Sequence, residues 1–235
     1  MNKNFMKALG FSLLMLVFPI ISSIIIQVMQ VTDDATAFVI QAVAFGIAAI
    51  IGLGIMRRMK LSLHVPFKNS LKDVLWFLPL IVIEVLGLVL GFQTNLSVSY
   101  VLSLLIFTIC VGISEEVFFR GIVLRILERK NKKYAVIVSS IFFGILHLAN
   151  LAGGVSIEYA LLQVVFAFLF GFISANLVVI TKSLLPVIIW HFTHDFISFM
   201  SGDTLNSLSL MILGIQCIIM IVYSIYLWKK LPIQK

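Results

Sequence analysis

Long apolar stretches, broken at intervals by short polar joints, make up nearly the whole chain. Crossing a bilayer as a helix takes about 20 apolar residues. Eight runs approach or exceed that length: 5–31, 35–56, 73–92, 98–125, 134–150, 157–180, 184–200 and 204–228. None alternates apolar with polar residues as the strands of an outer-membrane barrel do. The pattern therefore predicts an all-α, polytopic membrane protein, with eight transmembrane helices forming a single transmembrane domain over 1–235. The first run follows Lys3 and Lys7 as the core of a signal peptide would, but it is too long and no small-residue cleavage site follows, so it reads as a retained helix.

Composition agrees. The chain is 61% hydrophobic and 11% charged, against about 45–50% and 25% for soluble domains. Soluble enzymes, disordered chains and disulfide scaffolds are excluded. Cys110 and Cys217 lie inside apolar runs without a CxxC, which argues against a disulfide framework or a cysteine metal site. The net charge of +7 does not mark a nucleic-acid partner, because the basic residues sit between apolar runs rather than on one aromatic-laced face. On alternate joints fall Lys3 and Lys7; Arg57, Arg58, Lys60, Lys68 and Lys72; Arg125, Arg129, Lys130, Lys132 and Lys133; Lys182; and Lys229, Lys230 and Lys235. The remaining joints carry Asp33, Asp34, Glu158 and Asp203. The positive-inside rule then predicts a multi-pass protein of the cell membrane with both termini cytoplasmic. His64, beside a basic joint, has no role beyond the membrane surface, and Gly87 and Gly91 form a GxxxG that reads as helix packing.

The seventeenth basic residue, Arg120, lies inside an apolar run beside Glu115 and Glu116. His147, Glu84, and the trio His191, His194 and Asp195 sit within three other runs. A charge at the bilayer centre costs about 2.5–3.5 kcal/mol even on the lenient insertion scale, so such residues face inward. Measured from the basic joints, Glu115 and His191 lie roughly 15 Å deep, Glu84 about 18 Å and His147 about 21 Å. Four helices thus bring ionisable groups to a similar depth, which predicts a shared intramembrane polar cavity. Glu116 and Arg120, Phe143 and His147, and His191 and Asp195 are each four apart and share a helix face, while Glu115 points about a hundred degrees from Glu116. Phe118, Phe119 and Phe142 read as packing or lipid-facing residues.

A glutamate sheltered from bulk water can take a proton from a water molecule, and two histidines can stabilise an oxyanion and protonate a leaving amine. The same residue types also suit a catalytic zinc with an open position. Both routes end in hydrolysis of a carbonyl compound. Neither GxSxG nor HExxH occurs, which weakens those protease classes.

Three strings match known motifs: Glu115-Glu116-Val117-Phe118-Phe119-Arg120 is EExxxR, Phe143 to His147 is FxxxH, and His191 to Asp195 is HxxxN/D. In this order on separate helices they resemble the CPBP family of intramembrane proteases, which takes in CAAX prenyl endopeptidases and bacteriocin-immunity proteins. The resemblance implies Glu115 as the water-activating carboxylate, Glu116 and Arg120 in support, and His147, His191 and Asp195 completing the site with Phe143 lining it. Asp195 stands where many relatives have Asn, and the family has been described as both metal- and glutamate-dependent. A divalent metal such as zinc, if present, would fall to Glu115, His147 and His191. A prenylated substrate does not carry over, since the loop-poor chain looks bacterial. The partners expected are membrane lipid and a peptide or membrane-protein substrate entering laterally, with water admitted from the cytoplasmic side. Two other readings stand beside the endopeptidase. One is a non-catalytic bacteriocin-immunity or regulatory peptide-binding protein, and the other a proton- or ion-coupled transporter. For Glu84 the reading is a cavity wall or a partner of Arg120; for His194 it is helix packing or the cavity rim.

Overall fold

A computed structural model describes residues 3–61, 74–202 and 205–231. His64, Lys68, Lys72, Asp203 and Lys235 lie outside the described residues, as does the start of the third run. Each of the eight apolar runs becomes a helix: α1 (Lys3–Val28), α2 (Asp34–Arg58), α3 (Leu78–Leu88), α4 (Val98–Glu128), α5 (Lys132–Leu146), α6 (Ile157–Thr181), α7 (Leu185–Ser201) and α8 (Ser207–Lys230). A 3₁₀ stretch, His147–Gly153, prolongs α5. Among the described residues every regular element is helical.

Six of these helices, α1, α2, α4, α5 with its extension, α6 and α8, are long and apolar enough to cross a membrane. The chain is a multi-pass membrane protein. Among the described residues six helices thus have spanning length and two are shorter, so the expected count of eight spans is not confirmed. Helix α3 has 11 residues, about 16 Å or half of the hydrocarbon layer. It is bounded by Pro79 at its start and by Gly91, whose φ of +74° closes the turn beyond its end. Helix α7 has 17 residues, carries Pro186 in its first turn and stops at Gly202 with φ +81°. Its polar trio His191, His194 and Asp195 lowers its hydropathy.

The polar joints hold the helix ends in register. At one end Asp33, Ser97, Ser156 and Asn206 cap α2, α4, α6 and α8, each side-chain oxygen accepting a backbone N–H of the first turn. At the other, Glu128 accepts from Arg125 at 2.7 Å and from Lys182 at 3.2 Å, tying the α4–α5 joint to the α6–α7 joint. The basic joints flanking α5 and α6 therefore share one end of the bundle, as the charge alternation predicts.

Helix α4 is the central element, packed along α2 and α7, while α6 packs along α5 and α8. Small residues set these approaches. A Cβ on Gly52 would meet Val117 Cγ1 at 2.7 Å, and one on Gly144 would meet the Val164 carbonyl at 3.1 Å. The Gly87–Gly91 pair does not act as a unit: a Cβ on Gly87 would touch Ile197 at 3.3 Å, whereas Gly91 has open space around it. A Cβ on Gly112 would lie 3.0 Å from the Phe192 backbone nitrogen and 3.2 Å from the Ile188 carbonyl. Rigid backbone is the obstacle there, so Gly112→Ala is expected to cost about 1–3 kcal/mol by forcing α4 off α7. Unfolding in mixed micelles measures this, and an unchanged midpoint would contradict so close an approach.

Midway, α4 widens into a π segment, Val117–Val123, with all seven residues buried. Such segments are rare and occur often at functional sites. This one separates Glu115 and Glu116 from the basic end of the helix.

Candidate active site

The π segment carries Arg120 inward. Its guanidinium is 1% exposed and donates from Nη1 to Glu116 Oε1 at 2.8 Å, and the Glu116 carboxylate is itself fully buried. Arg120 also lies 4.0 Å from the centroid of the Phe143 ring, a contact that a desolvated cation makes favourably. Gly171 on α6 leaves room for it, since a Cβ there would sit 3.0 Å from Arg120 Nη2. Glu116 Oε2 and Arg120 Nη2 have no hydrogen-bond partner among the described residues, so the pair is only partly satisfied by protein.

Helix α7 supplies the third member. His191 Nδ1 donates to the same Glu116 Oε1 at 2.9 Å, which fixes the ring and aims Nε2 away from Glu116. That nitrogen faces two more carboxylates, Glu115 Oε2 at 3.8 Å and Asp195 Oδ2 at 3.6 Å. Both gaps exceed a direct hydrogen bond and suit a bridging water. Glu115 is 16% exposed at its side chain, unlike Glu116, as expected for neighbours pointing apart on one helix.

His147 enters where α5 tightens into the 3₁₀ stretch. Its Nδ1 donates to the Phe143 carbonyl at 2.8 Å, leaving Nε2 as the ring's other polar atom. The Phe143 ring stands edge-on to both imidazoles, with centroids 4.8 Å from His147 and 5.8 Å from His191. One aromatic side chain thus contacts Arg120 and both histidines. Phe118 and Phe119 are buried packing residues rather than lipid-facing ones.

His147, His191 and Asp195 line a cavity of about 230 Å³ between α5, α6, α7 and α8. Its walls continue through Phe166 and Ser198 to Leu90, Gly202, Leu205 and Ser209. Those last positions belong to the end of the bundle that holds the capped starts of α6 and α8, opposite the Glu128–Lys182 joint. The cavity thus extends from the histidines toward the end away from the basic joints. The sequence shows that the polar groups share a depth, but the direction in which the helices splay is a packing outcome.

Glu84 and His194 come together in the structure. The described contacts of Glu84 are with α7 rather than with Arg120: its Oε1 accepts from Trp190 Nε1 at 2.6 Å and from His194 Nδ1 at 3.1 Å. His194 stands on the cavity wall, stacked on Phe166 at 4.7 Å. Trp190 was missed by sequence reasoning, although its i,i+4 spacing to His194 put both on one face. Only its partner Glu84, 106 residues away, gives that face a meaning.

Among the described residues, no three His, Cys, Asp or Glu side chains converge into a group that could hold a metal ion. A metal held by Glu115, His147 and His191 would need Glu115 and His191, 3.8 Å apart, to give up the direct approach for ligation.

Residues 97–197 match the family model of the type II CAAX prenyl endopeptidase, Rce1-like. That stretch is similar to this family. It contains Glu115, Glu116, Arg120, Phe143, His147, His191 and Asp195, and so bears out the resemblance to the CPBP proteases drawn from the three motifs. The Rce1-like stretch covers somewhat less than half of the 235 residues, and within it lie α4, α5 and α6 whole and most of α7. The match supports a membrane endopeptidase. No curated protein matches the chain.

Proposed function

We propose that the protein is an intramembrane endopeptidase that hydrolyses a peptide bond of a membrane-associated peptide or protein with a water activated by Glu115. The observation that carries this reading is the 3.8 Å gap between Glu115 Oε2 and His191 Nε2, where His191 and the neighbouring Asp195 carboxylate line the cavity. Glu115 takes a proton from the bridging water, whose oxygen attacks the scissile carbonyl. His147 Nε2 accepts from the same water and orients it. Doubly protonated, His191 donates through Nδ1 to Glu116 and through Nε2 to the oxyanion, while Asp195 holds the ring from one turn below. Glu115 then returns its proton to the leaving amine. Glu116 and Arg120 contact no reacting atom and serve to position His191.

The wall of aromatic and aliphatic residues suits an apolar peptide segment, entering laterally from lipid between helices. With both termini cytoplasmic, as the basic joints suggest, the cavity opens on the outer face of a bacterial plasma membrane. In a variant lacking Cys110 and Cys217, Leu205→Cys is then expected to react with a membrane-impermeant thiol reagent added outside intact cells. Labelling only after the membrane is opened would reverse the orientation.

The decisive experiment is a comparison of membrane peptides from cells making the wild-type chain or Glu115→Gln. Fragments seen only with the wild type are expected, and they would name the substrate. Identical peptide sets from two folded proteins would return the site to a binding role such as immunity.

A further inference from the structure

Glu84, Trp190 and His194 form a second buried polar unit that the water-activating chemistry leaves unused. Glu84 is 8% exposed on a helix too short to span the bilayer. Its carboxylate gathers Trp190 Nε1 and His194 Nδ1 from one face of α7. Trp190 is stacked on Phe170 at 3.8 Å, and His194 lies nearly parallel to Phe166, with 16° between the rings. Helix α3 is fixed from a second side, where Gln216 of α8 donates to the Ile83 carbonyl at 2.9 Å. The His194 ring is thus held at Nδ1 and across one face, on the wall of the cavity, with no described hydrogen bond at Nε2.

Holding one imidazole nitrogen against a carboxylate fixes what the other presents. As an imidazolium paired with the Glu84 carboxylate, His194 donates through Nδ1 to Glu84 and through Nε2 gives the cavity one aimed donor among mainly apolar residues, which is how binding pockets set orientation. We propose that His194, oriented by Glu84, holds a backbone carbonyl of an extended apolar peptide in the cavity, as a specificity-determining contact outside the water-activating set. This rests on the peptidase reading for the nature of the ligand.

Two substitutions separate the ring's two nitrogens. His194→Asn keeps a donor for Glu84 and loses reach into the cavity, whereas His194→Gln keeps the reach and loses the bond to Glu84. The full chain in proteoliposomes is given an internally quenched peptide with a leucine- and alanine-rich core. A matched series has one backbone carbonyl at a time exchanged for a thiocarbonyl, a weaker acceptor. His194→Asn is expected to raise KM about tenfold, the worth of one hydrogen bond, with kcat changed by less than about threefold. His194→Gln should fall between it and the wild type. One thiocarbonyl position should weaken the wild type and leave His194→Asn unaffected. Equal sensitivity of both proteins along the series, or a fall in kcat with KM unchanged, would overturn the assignment. The same peptides are scored for binding to Glu115→Gln by fluorescence anisotropy. Absent cleavage by the wild type, with binding that still depends on His194 and on one carbonyl, would sink the peptidase reading alone. Binding indifferent to residue 194 would sink this one.

Discussion

Purified Glu115→Gln is expected to retain its fold and lose at least about a hundredfold in kcat, the lower end of what a positioned general base contributes. Glutamine matches the volume of glutamate and still accepts a hydrogen bond, so the 3.8 Å approach to His191 survives. What disappears is the ability to take a proton from water. Glu115 is also the more exposed of the two adjacent carboxylates and makes no short hydrogen bond among the described residues, so its loss leaves no buried donor unpaired. The unfolding midpoint should accordingly stay where it is. Single-turnover cleavage and thermal unfolding, measured on the same preparation, check the two halves together. A variant that cleaves at the wild-type rate would remove Glu115 from the chemistry, and one that unfolds early would show that it holds the bundle together instead.

Arg120→Met should behave in the opposite way. Both partners of the Arg120–Glu116 pair are almost wholly buried, and removing one partner of such a pair leaves an uncompensated charge that costs about 3–5 kcal/mol. Glu116 would keep only the His191 bond. The double variant Glu116→Gln/Arg120→Met is expected to regain most of that loss, because the introduced amide is neutral and its oxygen can still accept from His191 Nδ1. Denaturant titration in mixed micelles measures both. If the double variant were as unstable as the single one, the cost would come from lost packing of the arginine stem against Phe143 rather than from a stranded charge.

The three pairs that sequence periodicity put on shared faces are a useful measure of what a chain discloses about itself. Glu116–Arg120 and His191–Asp195 approach each other as their i,i+4 spacing requires, and Phe143 faces His147 for the same reason. A regular helix converts spacing into proximity for His191 and Asp195, whereas Glu116–Arg120 and Phe143–His147 meet even though a π segment and a 3₁₀ stretch begin within them. The joining of different helices was legible only as depth, since counting residues from basic joints says how far into the bilayer a group lies and not toward which neighbour it turns. Glu84 illustrates the limit. A lone carboxylate in an apolar run is conspicuous, but its choice of Trp190 and His194 depends on how a short helix docks. The shortness of α3 was itself hidden, because hydropathy continues through turns that backbone geometry breaks, as at Phe77 and Gly91.

The seven-residue widened stretch in α4 gives that helix two phases. A regular α-helix turns by about 100° per residue, so one residue absorbed without its normal advance rotates everything after it by that much relative to everything before. The acidic pair and the basic collar at Arg125 are thereby each free to face the partner they need. Wound uniformly, the same residues would satisfy only one of the two, and a loss or gain of a single codon within 117–123 would force the choice.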